Sequence, residues 1–328
     1  MEGTPGHGHR VEDALLVAQK YYLEGITMET LARELGTSRS TVSRLLSWAR
    51  ETGLVEIRVM PPRSRSEPRE TAITNRYGVQ AHVVPVPTTA SSVERLERCA
   101  IHSARLLTSV FESDMIIGLS WGTMVNAISR CLVSKPTTNC QFVQLNGLGN
   151  ARTTGAHYAG AMMTAFGAAF GAYVQQFPLP LFFDDAQTKQ ALLRERSVRR
   201  IVELQQSADA VLYSLGTVAD GTPSSPYLAG YFLDRDDFAD LASDGAVGDI
   251  ATSYFRADGT HAGIRLNERS SGPDLTALSN VKHRICAVSG DHKVDALHAA
   301  LLGGYVTELI VDEITAGLML ERFPARSG

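Results

Sequence analysis

The feature that most constrains the fold is an alternation of short apolar runs with helix-like segments, which continues from about residue 69 to residue 323. The runs have the length and the β-branched content of strands, and the segments between them have helical periodicity. This alternation predicts an α/β fold, in which a doubly wound, mostly parallel sheet is covered by helices on both faces. The predicted strands are residues 81–86, 115–119, 142–145, 172–176, 210–215, 285–289 and 308–311, and the predicted helices are residues 93–111, 123–133, 157–170, 187–206, 294–302 and 314–323.

Residues 27–50 carry a second pattern, two short helices joined by a tight turn. Thr27 and Ser38 are predicted N-caps, and Gly36 provides the positive φ that the turn needs. Apolar residues at helical spacing predict a small core between the helices. Its predicted members are Leu31, Ala32 and Leu35 of the first helix and Val42, Leu45, Leu46 and Ala49 of the second. A preceding helix, at about residues 11–24, is expected to add Leu15, Leu16, Tyr21 and Leu23.

The outward face of the second short helix combines arginines with small hydroxyl side chains. Arginine can pair with guanine edges or phosphates, and serine adapts to either, so the pattern favours a helix-turn-helix that lies in the major groove of DNA. The alternating segment 53–59 is a predicted wing. The simpler alternative is a helical hairpin that contacts no nucleic acid. The residues expected to contact DNA are Thr37, Ser38, Arg39, Ser40, Thr41, Ser43, Arg44 and Ser47.

A chain of 328 residues is expected to form two domains. Residues 60–68 contain three prolines and no periodicity, which is typical of a linker. The predicted organisation is therefore a DNA-binding domain over residues 1–60, a linker over residues 61–68 and an α/β domain over residues 69–328.

Composition excludes several classes of protein. No run approaches the eighteen or so apolar residues of a membrane helix, and the N-terminal segment has no apolar signal region, so a cytoplasmic protein without a membrane partner is expected. The four cysteines lie far apart, which argues against zinc and against a disulfide framework. The net charge is −4, but residues 1–65 contain nine Lys and Arg against eight Asp and Glu. A mildly basic N-terminal part on an acidic remainder fits DNA binding through one small face.

The loops that follow the predicted strands carry the candidate ligand contacts. In residues 118–124, GLSWGTM, small residues and hydroxyls stand between a strand and a helix, where backbone N–H groups can hold a phosphate. The loops at residues 145–150, 245–250 and 289–293 are similar. Lys293 opens a helix, where the dipole does not favour a cation, so we expect it to reach an anionic ligand, and Asp249 could accept hydrogen bonds from sugar hydroxyls. The structural alternatives are a solvated surface charge for Lys293 and a turn cap for Asp249.

These motifs together resemble the SorC family of bacterial sugar-responsive transcription regulators. The resemblance rests on the N-terminal helix-turn-helix followed in order by GLSWGTM, QLNGLGN, DGAVGDI, SGDHK and LIVDEITAGLML, and it covers residues 11–323. It implies a winged DNA-binding domain, an effector domain similar in fold to sugar-phosphate isomerases and deaminases, and a homotetramer built as a dimer of dimers. The implied partners are operator DNA and a phosphorylated sugar or polyol.

The resemblance also implies where this effector binds. The phosphate would lie against Ser120, Gly122, Thr123 and Met124 with Lys293 nearby, and the hydroxylated end would lie near Asn146, Gly147 and Asp249. Some members of this group hold their effector through a lysine Schiff base, but residues 144–150 contain no lysine, so noncovalent binding without a cofactor or metal is expected. The full predicted effector site is Gly118, Ser120, Trp121, Gly122, Thr123, Met124, Asn146, Gly147, Gly149, Asp249, Gly290 and Lys293.

The segment between residues 150 and 170 is rich in Ala, Gly and Met, so it constrains the polar end of the effector poorly, with Thr153, Thr154 and His157 as candidate contacts. Two other functions compete with a DNA-binding regulator. The first is a sugar-phosphate isomerase or deaminase, for which the acidic and histidine side chains after the strands could transfer protons. The second is a sugar-phosphate-binding module whose helical hairpin recruits a protein. The acid–base candidates for the enzyme are Asp249, Asp291, His292, Asp312 and Glu313.

Overall fold

The computed structural model describes residues 6–22, 25–55, 66–149, 156–218 and 233–324. The chain forms two compact units, Met1–Pro62 and Arg63–Gly328, which we call the head and the body. Each has its own buried apolar core.

The described residues of the head form three helices, and the two predicted N-caps are confirmed. The Thr30 N–H donates to Thr27 Oγ1 at 3.3 Å, and the Thr41 N–H donates to Ser38 Oγ at 3.2 Å. Gly36, between the second and third helices, has the expected positive φ of 60°. The helices are α1 (Gly6–Tyr22), α2 (Met28–Glu34) and α3 (Arg39–Glu51).

The core of the head differs in part from the prediction. Leu15 and Leu16 are 41% and 42% exposed, and α1 instead buries smaller residues at helical spacing. Leu35 is 37% exposed because it is the C-cap residue of α2 and has left the buried face of the helix. Leu23 lies outside the described residues, as do residues 56–59 of the predicted wing. The buried core is Ala14, Val17, Ala18, Leu31, Ala32, Val42, Leu46 and Ala49.

The predicted linker is too long at its C-terminal end. Helix α4 (Glu67–Tyr77) begins inside it, with Pro68 in the first turn. Proline is tolerated there because the first N–H groups of a helix have no intrahelical acceptor. Glu67 and Glu70 in the first turn stabilise the helix through their attraction to the positive end of its dipole. Residues 61–65 of the linker lie outside the described residues.

The body is organised by a seven-stranded sheet in which every neighbouring pair is parallel. The strand order is β1-β10-β9-β5-β2-β3-β4. Each of the seven predicted strands corresponds to one of these, which confirms the predicted α/β architecture. The strands are β1 (Gln80–Val84), β2 (Ile116–Leu119), β3 (Gln141–Gln144), β4 (Tyr173–Gln175), β5 (Ala210–Tyr213), β9 (His283–Val288) and β10 (Glu308–Asp312).

Helices cover both faces of this sheet. Alternate residues of β5 show the division, since Val211 and Tyr213 belong to one apolar cluster and Ala210 and Leu212 to the other. The predicted helix at 187–206 is two helices, because Glu195 takes an extended conformation. The remaining helices are α5 (Ser92–Val110), α6 (Thr123–Ser129), α7 (Ala156–Phe170), α8 (Ala186–Leu193), α9 (Arg196–Gln206), α10 (Arg235–Ser243), α11 (Leu275–Leu278), α12 (Val294–Leu302) and α13 (Glu313–Arg322).

A second, antiparallel sheet of three strands was not predicted. It contains β6 (Leu215–Thr217), β7 (Ala246–Ile250) and β8 (Ser253–Arg256). The predicted strand 210–215 therefore splits at Ser214 between the two sheets, and the predicted loop 245–250 is mostly strand. Gly and Asp have low strand propensity, and pairing with β6 and β8 overrides that preference in β7.

The order of the parallel strands places a switch point between β2 and β5. From β2 the chain continues outward through β3 to β4, whereas from β5 it continues in the other direction through β9 to β10. In sheets of this kind, ligands bind in the crevice at the carboxyl ends of the strands where the direction reverses. Within the described part of the chain, no helix is both long and apolar enough to cross a membrane.

The aromatic cluster on one face of the sheet yields a prediction for stability. Phe142 is fully buried against Phe111, Phe166 and Phe170, with ring centroids 5.4 to 5.8 Å away. Phe142→Ala should lower the free energy of unfolding of the body by about 3–5 kcal/mol because it leaves a cavity. Tyr173 on the adjacent strand is 70% exposed, so Tyr173→Ala is the control and should change it by less than about 1 kcal/mol. Urea denaturation of both variants, followed by near-UV circular dichroism, measures the difference, and equal losses would contradict the packing described.

Candidate functional site

The loop after β2 is fixed to the two neighbouring strands. The Ser120 N–H donates to the carbonyl of Leu212 on β5 at 3.0 Å. On the other side, Trp121 Nε1 donates to the carbonyl of Gly147, after β3, at 2.9 Å. Two of the predicted contact segments are therefore held side by side at the switch point of the sheet.

Gly147 is a glycine for steric reasons. A Cβ at this position would lie 2.5 Å from the carbonyl oxygen of Leu179 and 2.8 Å from Ser271 Oγ, and it would also contact the carbonyl of Pro180. The Gly147 N–H donates to Ser271 Oγ at 2.9 Å. The backbone of this loop can approach its neighbours so closely only without a side chain.

Ser271 continues the contacts to the small sheet. The adjacent Ser270 Oγ donates to the carbonyl of Thr252 at 2.7 Å, and the Thr252 N–H donates to Asp249 Oδ2 at 3.0 Å. A continuous series of hydrogen bonds and peptide links thus joins Trp121 to Asp249. Sequence reasoning missed Ser270, Ser271 and Thr252, since isolated serines and threonines carry no local motif.

Asp249 and Lys293 interact electrostatically within this arrangement. Asp249 is 7% exposed, and burial raises the pKa of its carboxyl group, while the Thr252 N–H and the Lys293 charge act in the opposite direction. Burial lowers the pKa of the half-buried Lys293 amine, and the charge of Asp249 opposes that shift. The structure therefore places Asp249 with the predicted phosphate-binding lysine, and Lys293 makes no ion pair with any residue in the described ranges.

Arg95 of helix α5 holds the loop that carries Lys293. Its Nη1 lies 2.7 Å from Asp291 Oδ1, and its Nε donates to Asp312 Oδ1 at 2.9 Å. Thr315 Oγ1 accepts hydrogen bonds from Arg95 Nη2 at 2.6 Å and from the Gly290 N–H at 2.9 Å. Gly290 has a φ of 115°, so glycine is favoured at this bend. Arg95 was not among the predicted site residues.

The same contacts account for most of the acid–base candidates. Asp312 is fully buried, and its side chain accepts the N–H groups of Ile314 and Thr315, so it caps α13. Asp291 pairs with Arg95, and Glu313 pairs with Arg69 at 3.0 Å.

Several predicted contacts also have structural roles. Gly118 lies inside β2, and a Cβ there would lie 2.6 Å from Leu145 and 2.9 Å from Val211. The Met124 side chain is buried in the apolar cluster on the face of the sheet that carries Phe142, so only its backbone could contact a ligand. Gly149 accepts a hydrogen bond from the Leu181 N–H at 2.9 Å. Asn150, Thr153, Thr154 and the side chain of His157 lie outside what the structure describes.

The predicted DNA-binding residues share one surface of the head. Ser38, Arg39, Ser40, Ser43 and Arg44 are exposed, and Thr37, Thr41 and Ser47 are half-buried. None of the eight belongs to the buried core of the head. Helix α3 therefore presents two arginines and several hydroxyls to solvent while Val42, Leu46 and Ala49 face inward.

Comparisons with known proteins agree with the division of the chain into a head and a body. Residues 63–321 match the family model described as "Putative sugar-binding domain". The deoxyribonucleoside regulator of Bacillus subtilis is 33% identical over 302 residues, which are 91% of this chain and 94% of that protein. The chain belongs to the SorC family of sugar-binding transcriptional regulators.

Solved structures of the family have the same fold. A domain of a "possible sugar-binding transcriptional regulator" from Arthrobacter aurescens TC1 is 44% identical, with a TM-score of 0.74 over 79% of this chain and 99% of that one. The full-length sorbitol operon regulator SorC from Klebsiella pneumoniae covers 97% of this chain and 100% of its own, with a TM-score of 0.81 and 22% identity. At that identity the similarity shows the fold alone, and the matched region includes the residues of the head.

This SorC-family chain also has a cavity of about 480 Å³ apart from the predicted effector site. None of the predicted effector residues lines it. Its lysine, Lys189, donates to the carbonyl of Asn267 at 2.9 Å, and its Ser271 already has two hydrogen bonds. Because these polar groups are paired within the chain, we favour the site at the switch point as the effector site of this regulator.

Two glycines of the regulator yield a prediction about the site. Gly147→Ala should destabilise the body by about 1–3 kcal/mol, because its Cβ forces the surrounding backbone apart. Gly122→Ala is the control, since a Cβ there meets no atom within 4 Å. It should change stability by no more than about 1 kcal/mol. Thermal unfolding of the ligand-free variants measures this, and a Gly147→Ala protein as stable as Gly122→Ala would contradict the loop packing.

Proposed function

We propose that this chain binds operator DNA through α3 and controls genes of carbohydrate or polyol catabolism in response to a phosphorylated sugar effector. The observation that carries the proposal is Lys293, a half-buried cation that has no ion pair within the described part of the chain and lies at the carboxyl edge of the sheet beside the switch point. A buried charge is costly unless it is paired, so an anionic ligand is its natural partner.

The phosphate would be held by two sides of the crevice. The Ser120 and Thr123 hydroxyls and the first N–H groups of α6 would contact it from β2, and Lys293 would reach it from the loop after β9. Adjacent strands lie about 4.8 Å apart, so β9 is about 10 Å from β2 and a lysine side chain can cover much of this separation. Asp249 and Asn146 would receive the hydroxyl groups of the sugar, and no covalent bond would form.

The identity of the effector class draws on the relatives. One is named for deoxyribonucleosides and another for the sorbitol operon, so the common chemistry is a carbohydrate or polyol. Catalysis by this chain is not favoured, because the full-length relatives are named as regulators and because Asp291, Asp312 and Glu313 already hold the backbone or basic side chains.

We further propose a cytoplasmic homotetramer, a dimer of dimers, as the DNA-binding form. A dimeric reader needs its two recognition helices spaced by whole turns of DNA. An effector that changes the packing between bodies would alter the spacing of the heads and weaken or strengthen binding without changing a base contact.

The DNA-binding surface gives the first test. In the full-length chain, Arg39→Ala with Arg44→Ala should weaken binding to DNA upstream of the protein's own gene by about 30-fold or more, because each arginine contact contributes about 1–3 kcal/mol. Arg33→Ala, an exposed arginine on α2, is the control and should bind like the wild type. Mobility-shift titration at a fixed salt concentration measures all three. Equal DNA affinity of the double variant and the control would refute the assignment of α3.

The lowered pKa of Lys293 gives the second test. The ammonium that attracts a phosphate is lost as the pH rises through this lowered pKa, so affinity should fall at a pH below the range in which an ordinary lysine loses its charge. Arginine stays charged throughout this range, so Lys293→Arg should flatten the profile. Lys189→Arg is the matched control, because Lys189 also has a pKa lowered by burial but lines the separate cavity, and it should leave the fall unchanged.

The measurement is calorimetric titration of the full-length chain with pentose, hexose and polyol phosphates. The assignment of Lys293 would be abandoned if wild-type affinity stayed level as the pH was raised, or if Lys189→Arg flattened the profile in its place.

A further inference from the structure

Two buried acceptor oxygens at the carboxyl end of β3 have no hydrogen-bond donor among the residues that the structure describes. They are Oε1 of Gln144 and Oδ1 of Asn146. Gln144 is 0% exposed and Asn146 is 1% exposed. A buried amide oxygen without a donor is rare because it loses its bonds to water and gains nothing in return. Two of them within three residues indicate a loop built to receive donors from outside the chain.

The orientation of the Gln144 amide is fixed by its own contacts. Its Nε2 donates to the backbone carbonyl of Asn146. The reversed amide would place Oε1 against this oxygen, and two acceptors would then face each other. The backbone here is held as well, since Gln205 Nε2 donates to the Gln144 carbonyl at 2.7 Å. Gln144 therefore offers a fixed acceptor, and a rotation of the amide cannot remove it.

This loop belongs to the same crevice as the proposed phosphate contacts. Trp121 Nε1 donates to the carbonyl of Gly147, directly after Asn146, and Trp121 lies between Ser120 and Gly122. β3 is the immediate neighbour of β2 in the sheet. The two free acceptors thus belong to the strand end and loop directly next to the proposed phosphate contacts, and the two backbones are about 5 Å apart.

We propose that Gln144 is an effector-recognition residue, which together with Asn146 accepts hydrogen bonds from two hydroxyl groups on the carbon chain of the ligand. This inference rests on the proposed function. Amide oxygens accept only, so neither a carbonyl group nor the fully ionised oxygens of a phosphate can satisfy them, whereas sugar hydroxyls can. The ligand class is therefore a polyhydroxylated sugar or polyol phosphate, and analogues that lack a hydroxyl at this position are rejected.

The test compares hydroxylated ligands with their deoxy analogues on the full-length chain. Pentose 5-phosphates, hexose 6-phosphates and hexitol 6-phosphates are titrated by calorimetry, each beside its available monodeoxy forms. The tightest ligand should bind at least about 10-fold more tightly than one of its monodeoxy analogues, since a site built to bond a hydroxyl discriminates strongly against its loss.

Gln144→Leu removes the acceptor. It should weaken binding of the hydroxylated ligand by about 10- to 100-fold and bring the ratio to the deoxy analogue close to one. Its affinity for inorganic phosphate should equal that of the wild type, because the phosphate contacts are elsewhere. Gln205→Leu is the matched control, since it removes a hydrogen bond to the same loop and leaves both free acceptors in place, and it should preserve the ratio.

The outcomes separate the two proposals. The role of Gln144 would be overturned if the wild type bound the parent sugar and all its monodeoxy analogues with affinities within about 3-fold of each other, since a useful hydrogen bond contributes more than that ratio. This outcome does not depend on whether Gln144→Leu folds. Loss of the ratio in Gln205→Leu as well as in Gln144→Leu would also overturn it, because the effect would then follow loop structure. If no phosphorylated sugar or polyol bound, the proposed function itself would fail, and this inference with it.

Discussion

The arrangement of the body depends on strand β5, which joins its two halves. β5 pairs with β2 on one side and with β9 on the other, and all four of its residues are buried. The loops after β2 and β3 and the loop after β9 lie along the same edge of the sheet because these two pairings hold. Since parallel strands expose their carboxyl ends on one edge, the site follows from strand order, and no single loop could form it.

Sequence alone predicted the elements whose signal is local. Five of the seven parallel strands, β2, β3, β5, β9 and β10, are largely buried, so their apolar runs are continuous and easy to recognise. The N-caps of α2 and α3 were likewise predicted, because Thr27 and Ser38 act on N–H groups three residues away. In the head, the choice of the larger Leu15 and Leu16 over Ala14 and Val17 was wrong, because hydrophobicity alone does not specify which face of α1 meets its neighbours.

The elements that were missed depend on partners distant in the chain. β7 contains Gly248 and Asp249, which suit a loop by propensity, but Gly248 is needed because a Cβ there would lie 2.6 Å from Ala296 of α12. Asp249 itself lies against Gly216 of β6. Arg95, Gln144 and Ser271 were missed for a similar reason. Arg95 and Ser271 bind segments that are distant in the sequence, and Gln144 binds a backbone carbonyl, and no sequence motif indicates either kind of contact. Motifs thus identified the loops of the site but not the side chains that hold them.

The electrostatics of Asp249 and Lys293 explain why the two halves of a sugar phosphate would act together. Burial raises the pKa of the Asp249 carboxyl and lowers the pKa of the Lys293 amine. Each charged form is therefore costly, even though the opposite charges attract each other. A phosphate offsets the cost for the lysine alone, whereas hydroxyl donors offset the cost for the carboxylate and for the free acceptors of Gln144 and Asn146. A ligand that carries both groups would therefore recover more of the desolvation cost than either group alone, and under the proposed mechanism this difference in free energy would shift the packing between bodies.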